Sequence, residues 1–171
     1  IDVWFADMVA HQPDGEWLHI APLRILSFDI ECAGRPGIFP EAEKDPVIQI
    51  ANHVTCQGDT KPIVKNVFTL KECAPISGAQ VLSFNTEAEM LTAWHKFVIE
   101  TDPDMVTGYN IVNFDLPYLL NRAAALKISS FPYLGRVKGV RSMAKDKMFQ
   151  SKQVGTRESK EINMEGRVQF D

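Results

Sequence analysis

The stretch LRILSFDIECAGRPGIFPE, residues 23–41, decides how the rest of the chain is read. Leu23–Ile30 is a short, nearly continuous apolar run followed by turn residues, which predicts a buried strand. Two acids, Asp29 and Glu31, stand at its end. Side chains alternate along a strand, so residues two apart share a face. Asp29 and Glu31 therefore point the same way, with Ile30 opposed. Like charges that close repel unless a cation sits between them. A divalent metal is one solution, and it requires further ligands from elsewhere in the sequence.

Outward from this strand, GRPGIFPEAEKDP is a loop by its glycine and proline content. Val47–Val54 then alternates in polarity, GDTKP is a turn, and IVKNVFTL (63–70) is a third strand. Three strands in succession through tight connections predict an antiparallel meander. Thr86 with Glu89 three residues on gives a capping-box pattern. Met90, Leu91, Trp94, Phe97 and Val98 follow at helical spacing, and Asp102-Pro103 ends the helix. Met105–Tyr109 reads as a short strand. FDLPYLLNRAAALKI (114–128) reads as a second helix with Leu116, Leu119, Leu120 and Ala123 on its apolar face and Pro117 in its first turn.

The predicted order is β-β-β-α-β-α. A helical crossover places parallel strands in one sheet. If the fourth strand lies parallel beside the first, their C-terminal ends meet at one sheet edge, where open α/β sheets place ligands. Asp29 and Glu31 arrive there from the first strand, and Asp115 arrives after the fourth. Three carboxylates would then converge. They are hard oxygen ligands, suited to Mg²⁺ or Mn²⁺ rather than zinc. Two such ions about 3.5–4 Å apart can activate water and stabilise the leaving oxygen of a phosphodiester. In that arrangement Asp29 would bridge both ions, with Glu31 and Asp115 completing separate sites. The alternative is a pair of solvated acids, with Asp115 stabilising its helix N-terminus.

Composition sets further bounds. A chain of 171 residues with 45% hydrophobic content fits one domain with an ample core. No apolar run approaches the ~18 residues that cross a membrane. The first residues show no basic stretch followed by an apolar one. The three cysteines, Cys32, Cys56 and Cys73, form neither a disulfide framework nor a CxxC pair, and a reduced compartment is the simple reading. The net charge of −4 conceals a division. Residues 1–130 hold 9 basic against 17 acidic residues, and residues 131–171 hold 9 against 5. Such asymmetry suggests a nucleic-acid surface or a solvated basic face. Near the C-terminus, SKQ and KEINM flank VGTRES, which predicts a polar hairpin with Gly155 in its turn that stands out from the core.

At FDIE (28–31) and GYNIVNFDLPYL (108–119) the chain resembles the first and second exonuclease motifs of the family B DNA polymerases. APLRILSFDIECAGRPGIFPE, DPVIQI, DPDMVTGYNIVNFDLPYLLNRA, FPYLGR and QSKQVGTRESK extend the resemblance over nearly the whole chain, toward the eukaryotic replicative members. The resemblance implies an α/β, RNase H-like (DnaQ-like) exonuclease fold: a mixed sheet, flanking helices and a protruding β-hairpin. It implies 3′-to-5′ proofreading with two Mg²⁺ or Mn²⁺ ions held by Asp29, Glu31 and Asp115. Asn110 and Phe114 match positions that help hold the single-stranded 3′ end, and a ring at Phe114 could stack on a base. Core packing is the other use for that ring. The segment Gln150–Met164 resembles a hairpin that helps separate primer from template, where Lys152, Arg157 and Lys160 would meet phosphates.

The family's third motif supplies a tyrosine and a fourth metal-binding aspartate, and no Y-x-x-x-D follows Asp115 here. The expected organisation is therefore a lead-in from a preceding domain (1–22) and most of an exonuclease domain (23–171). The polymerase domain and any iron–sulfur or zinc module would lie outside this sequence. The implied partners are primer–template DNA, accessory subunits and a sliding clamp, with no membrane, in a nucleus.

Overall fold

The computed structural model describes residues 3–151 and 155–171. Its centre is a six-stranded mixed sheet. The strands are β1 (Arg24–Cys32), β2 (Val47–Cys56), β3 (Val64–Leu70), β4 (Gln80–Phe84), β5 (Met105–Thr107) and β8 (Val168–Phe170). Their order across the sheet is β4-β3-β2-β1-β5-β8. The expected meander is present, since β1 pairs antiparallel with β2, and β2 with β3. The expected parallel neighbour is present too: β5 runs beside β1, with Ile25 opposite Met105 and Ser27 opposite Thr107.

One strand was not anticipated. The reading leaves 71–84 without regular structure, yet Gln80–Phe84 forms β4, parallel to β3 at the sheet edge. Its five residues are exposed or half-buried, so they carry no clear apolar alternation. The crossover helix α1 (Glu87–Thr101) thus starts from β4 and not from β3. Beyond β5, the VQF of GRVQF becomes β8, parallel to β5.

The alternation of β1 builds the core. Leu26, Phe28 and Ile30 are buried with Ile50, Val54 and Phe68, against Met90, Leu91, Trp94 and Val98 of α1. Phe28 and Trp94 pack ring to ring at 5.2 Å. Trp94 Nε1 donates to Asn52 Oδ1 at 2.9 Å, and Asn52 Nδ2 donates to Asn66 Oδ1 at 3.0 Å, so these buried polar groups are paired. The capping box of α1 is formed. Thr86 Oγ1 accepts from the Glu89 N–H, and Glu89 Oε2 accepts from the Thr86 N–H. The second helix, α2 (Asp115–Ala125), buries Leu116, Leu119, Leu120 and Ala123 as its spacing predicts.

The hairpin consists of β6 (Ala144–Ser151) and β7 (Gly155–Ile162), a two-stranded sheet of its own. Its arms are longer than the sequence suggested. Gly155 is not in the turn but opposite Ser151 at the end of the ladder. Residues 3–22 contain two short 3-10 turns, Phe5–Asp7 and Gly15–Leu18, and none of these residues is buried. No helix among the described residues is long and apolar enough to cross a membrane.

Candidate active site

The ladder between β1 and β5 stops at Ser27 opposite Thr107. There the chain turns away through Gly108, which lies against β1. A Cβ at this glycine would meet the Phe28 carbonyl oxygen and the Ile111 side chain, each at 2.4 Å. Only glycine allows that approach. A turn over residues 110–114 follows and delivers Asp115 as the first residue of α2. Its carboxylate takes a hydrogen bond from its own N–H at the start of the helix. It points back to β1, where Asp115 Oδ1 accepts the Ile30 N–H at 3.1 Å.

Asp115 is only 2% exposed. Burial, joined by the negative charges of Asp29 and Asp171, pushes its carboxyl up to about 6 against the opposing hydrogen bonds from the Ile30 N–H and its own N–H. Asp29 and Asp115 are therefore brought together from distant parts of the sequence. Asp29 and Glu31 share the exposed side of β1 as alternation requires. Glu31 stands at the strand's end, where the register with β2 shifts between Glu31 and Cys32, and its charge falls on Cys32. The acids gather at one sheet edge without closing on one another. Among the described residues no group of three or more His, Cys, Asp or Glu side chains is arranged to hold a metal ion.

The site has neighbours that the sequence reading did not single out. Asp171 follows β8 and its Oδ1 accepts the Ile111 N–H at 3.0 Å, which ties the sheet edge to the 110–114 turn. Tyr109 is 91% exposed and lines, with Asp29, Gly108, His53 and Lys65, a cleft of about 600 Å³. Its position between Gly108 and Asn110 was a usable signal. Phe39, 75% exposed, packs edge-on against Phe114 at 5.4 Å. The loop that carries Phe39 is held by Arg35, which donates to Asp45 and Glu41. Phe114 is half-buried and also packs on Tyr118 at 5.5 Å.

Asn110 lies beside the site with φ of 58°, a left-handed conformation that asparagine tolerates. Its Oδ1 accepts from Asn113 Nδ2 at 3.1 Å. Lys160 sits in β7, and its ammonium is paired across the hairpin with Asp146 at 2.8 Å. Arg157 is placed in β7 opposite Phe149, and Lys152 lies outside the described residues. Much of the basic surplus of residues 131–171 is also paired. Arg136 meets Asp102 and Asp104, Arg167 meets Asp102, and Lys147 meets Glu161.

A family model, DNA polymerase family B, exonuclease domain, matches residues 1–171. The chain belongs to that family. The relatives of this exonuclease domain include the DNA polymerase delta catalytic subunit of Drosophila melanogaster, 62% identical over 171 residues. That of Mesocricetus auratus is 56% identical over 171 residues, and that of Schizosaccharomyces pombe 53% over 173. Each match covers 100% of the chain and 16% of the relative. The mixed sheet with its helices is that of a DnaQ-like exonuclease domain.

Proposed function

We propose that this domain carries a 3′-to-5′ proofreading exonuclease site within a delta-like replicative DNA polymerase. The observation that carries this reading is the buried Asp115 carboxylate aimed at the end of β1, with Asp29 acting on it. The donor set fits hard divalent cations: oxygen ligands only, with like charges on Asp29 and Asp171 pressing on Asp115. Asp29, Glu31 and Asp115 would hold Mg²⁺ or Mn²⁺. Such ions, when bound, supply Lewis acidity toward water and the leaving oxygen. The chain's own residues position the strand. Asn110 and Phe114 line the approach, Phe39 braces Phe114, and Tyr109 offers an exposed ring for a base.

The longer protein would act on the 3′ end of primer–template DNA, with accessory subunits and a sliding clamp, in the nucleus. Residues 1–22 would lead in from a preceding domain. Its polymerase domain, and any iron–sulfur or zinc module, would lie elsewhere in that protein. A second reading is a non-catalytic DNA-holding module, in which the buried Asp115 carboxylate serves only to hold the Ile30 N–H and so to tie α2 to β1.

The test is digestion of a 3′-mismatched primer in Mg²⁺ by the full-length protein beside its Asp29→Ala variant. The expected result is release of nucleoside monophosphates, with a loss of about 100-fold or more in the variant, or about 3 kcal/mol of barrier. Equal digestion by both would overturn the assignment, and none by either would favour the second reading.

A further inference from the structure

The hairpin β6–β7 belongs to a separate sheet, so contacts at its foot set its place relative to the site. At the base, Ile162 and Met164 are buried in the core. Asn163 pins the entering chain there, accepting the Met143 N–H and donating to the Arg141 carbonyl, both at 2.7 Å. Further out along the hairpin, the Lys160 N–H points away from it and donates to Asn113 Oδ1 at 2.9 Å. The other end of the same carboxamide, Asn113 Nδ2, donates to Asn110 Oδ1. One short side chain thus joins the hairpin to the turn that carries Asn110. Between hairpin and turn lies a cleft of about 530 Å³ lined by Asn110, Asn113, Lys147, Met148 and Lys160. Because Asp146 holds the Lys160 ammonium, the contribution of Lys160 on this side is its backbone N–H.

We propose that Asn113 is a positioning residue that fixes the hairpin against the Asn110 turn, so that opening of a paired 3′ terminus is coupled to its delivery to Asp29 and Asp115. This rests on the exonuclease function proposed above. Asn113 itself touches no reacting atom. Its two bonds span an exposed gap, and a rigid joint is needed only when the hairpin must bear against a duplex. A strand that is already single has no such need.

The test uses the full-length protein with Asn113→Leu, which removes both bonds at similar volume. Rates are measured on single-stranded DNA and on a fully paired primer terminus. The variant should keep single-strand digestion within about twofold and lose about fivefold or more on the paired terminus, in kcat and not KM. Equal loss on both substrates, or loss on neither, overturns the proposal. Amide exchange read by mass spectrometry gives a second measurement. The peptide around Lys160 should exchange faster in the variant, and unchanged exchange there overturns the joint itself. A wild-type protein inactive on both substrates would refute the exonuclease reading, while the exchange result would still decide whether Asn113 holds the hairpin.

Discussion

Asp115 carries a carboxyl group that burial and the charges of Asp29 and Asp171 hold protonated up to about pH 6. Its ordinary value is 3.8, so between these values the folded chain binds more protons than the unfolded one. Stability from this group is therefore greatest at low pH and falls as pH rises through about 6. Asp115→Asn keeps an oxygen for the Ile30 N–H and carries no charge. In metal-free buffer the variant should exceed the wild-type chain by about 2 kcal/mol at pH 7, with the gap closing toward pH 4. Denaturant unfolding across that range checks it. Gly108 makes a different claim at the same scale. Gly108→Ala places a Cβ 2.4 Å from the Phe28 carbonyl, a backbone atom that cannot yield, and should cost about 2 kcal/mol or more. A neutral result in the same unfolding assay would mean that the turn is not seated as described. The acids were legible because a strand's alternation forces Asp29 and Glu31 to one face. Asp171 was not, because its partner is a backbone N–H 60 residues away, and such a bond leaves no pattern in the sequence.

Between elements, one buried ion pair links both helices to the loop before β2. Glu87 in α1 accepts from Arg122 of α2 at 2.8 and 2.7 Å, and also from the Val47 N–H at 2.8 Å. Arg122 donates in addition to the Ala42 carbonyl at 3.1 Å. Removing one partner leaves a buried charge without its counterion. Arg122→Ala should destabilise the chain by about 3–5 kcal/mol. Adding Glu87→Leu to an Arg122→Leu background should not restore full stability, since Val47 N–H and Ala42 C=O still lose their partners. Full recovery by that double variant would mean that the bonds to the Val47 N–H and the Ala42 carbonyl add nothing to stability. Capping and helical spacing made α1 and α2 readable, because both signals are local. The edge strand β4 leaves no signal in the sequence because its side chains are only partly covered, so burial imposes no alternation on them. The hairpin's existence was visible but its length was not. Its arms pair with each other outside the main sheet, and polar residues fit such a ladder as well as a loop.

For the molecule as a whole, sheet order does the assembling. Placing β5 beside β1 brings the second motif to the end of the first, and β8 beside β5 brings Asp171 to the same edge. The charge division between the two parts of the chain fits a nucleic-acid surface or a solvated basic face, and the structure ties several of the C-terminal cations to nearby acids. The acidic edge and its exposed aromatics, Tyr109 and Phe39, are the stronger pointers. The proposed function requires divalent ions to bind at the end of β1, between Asp29, Glu31 and Asp115. Titrating Mn²⁺ into the isotope-labelled chain and recording amide resonances tests it most directly, because the ion broadens signals near where it binds. Broadening should appear first at Ile30, Glu31 and Leu116, and should vanish there in Asp29→Ala. Broadening confined to another acidic stretch, such as Glu41–Asp45, or unchanged by Asp29→Ala, would mean that no ion binds at these carboxylates.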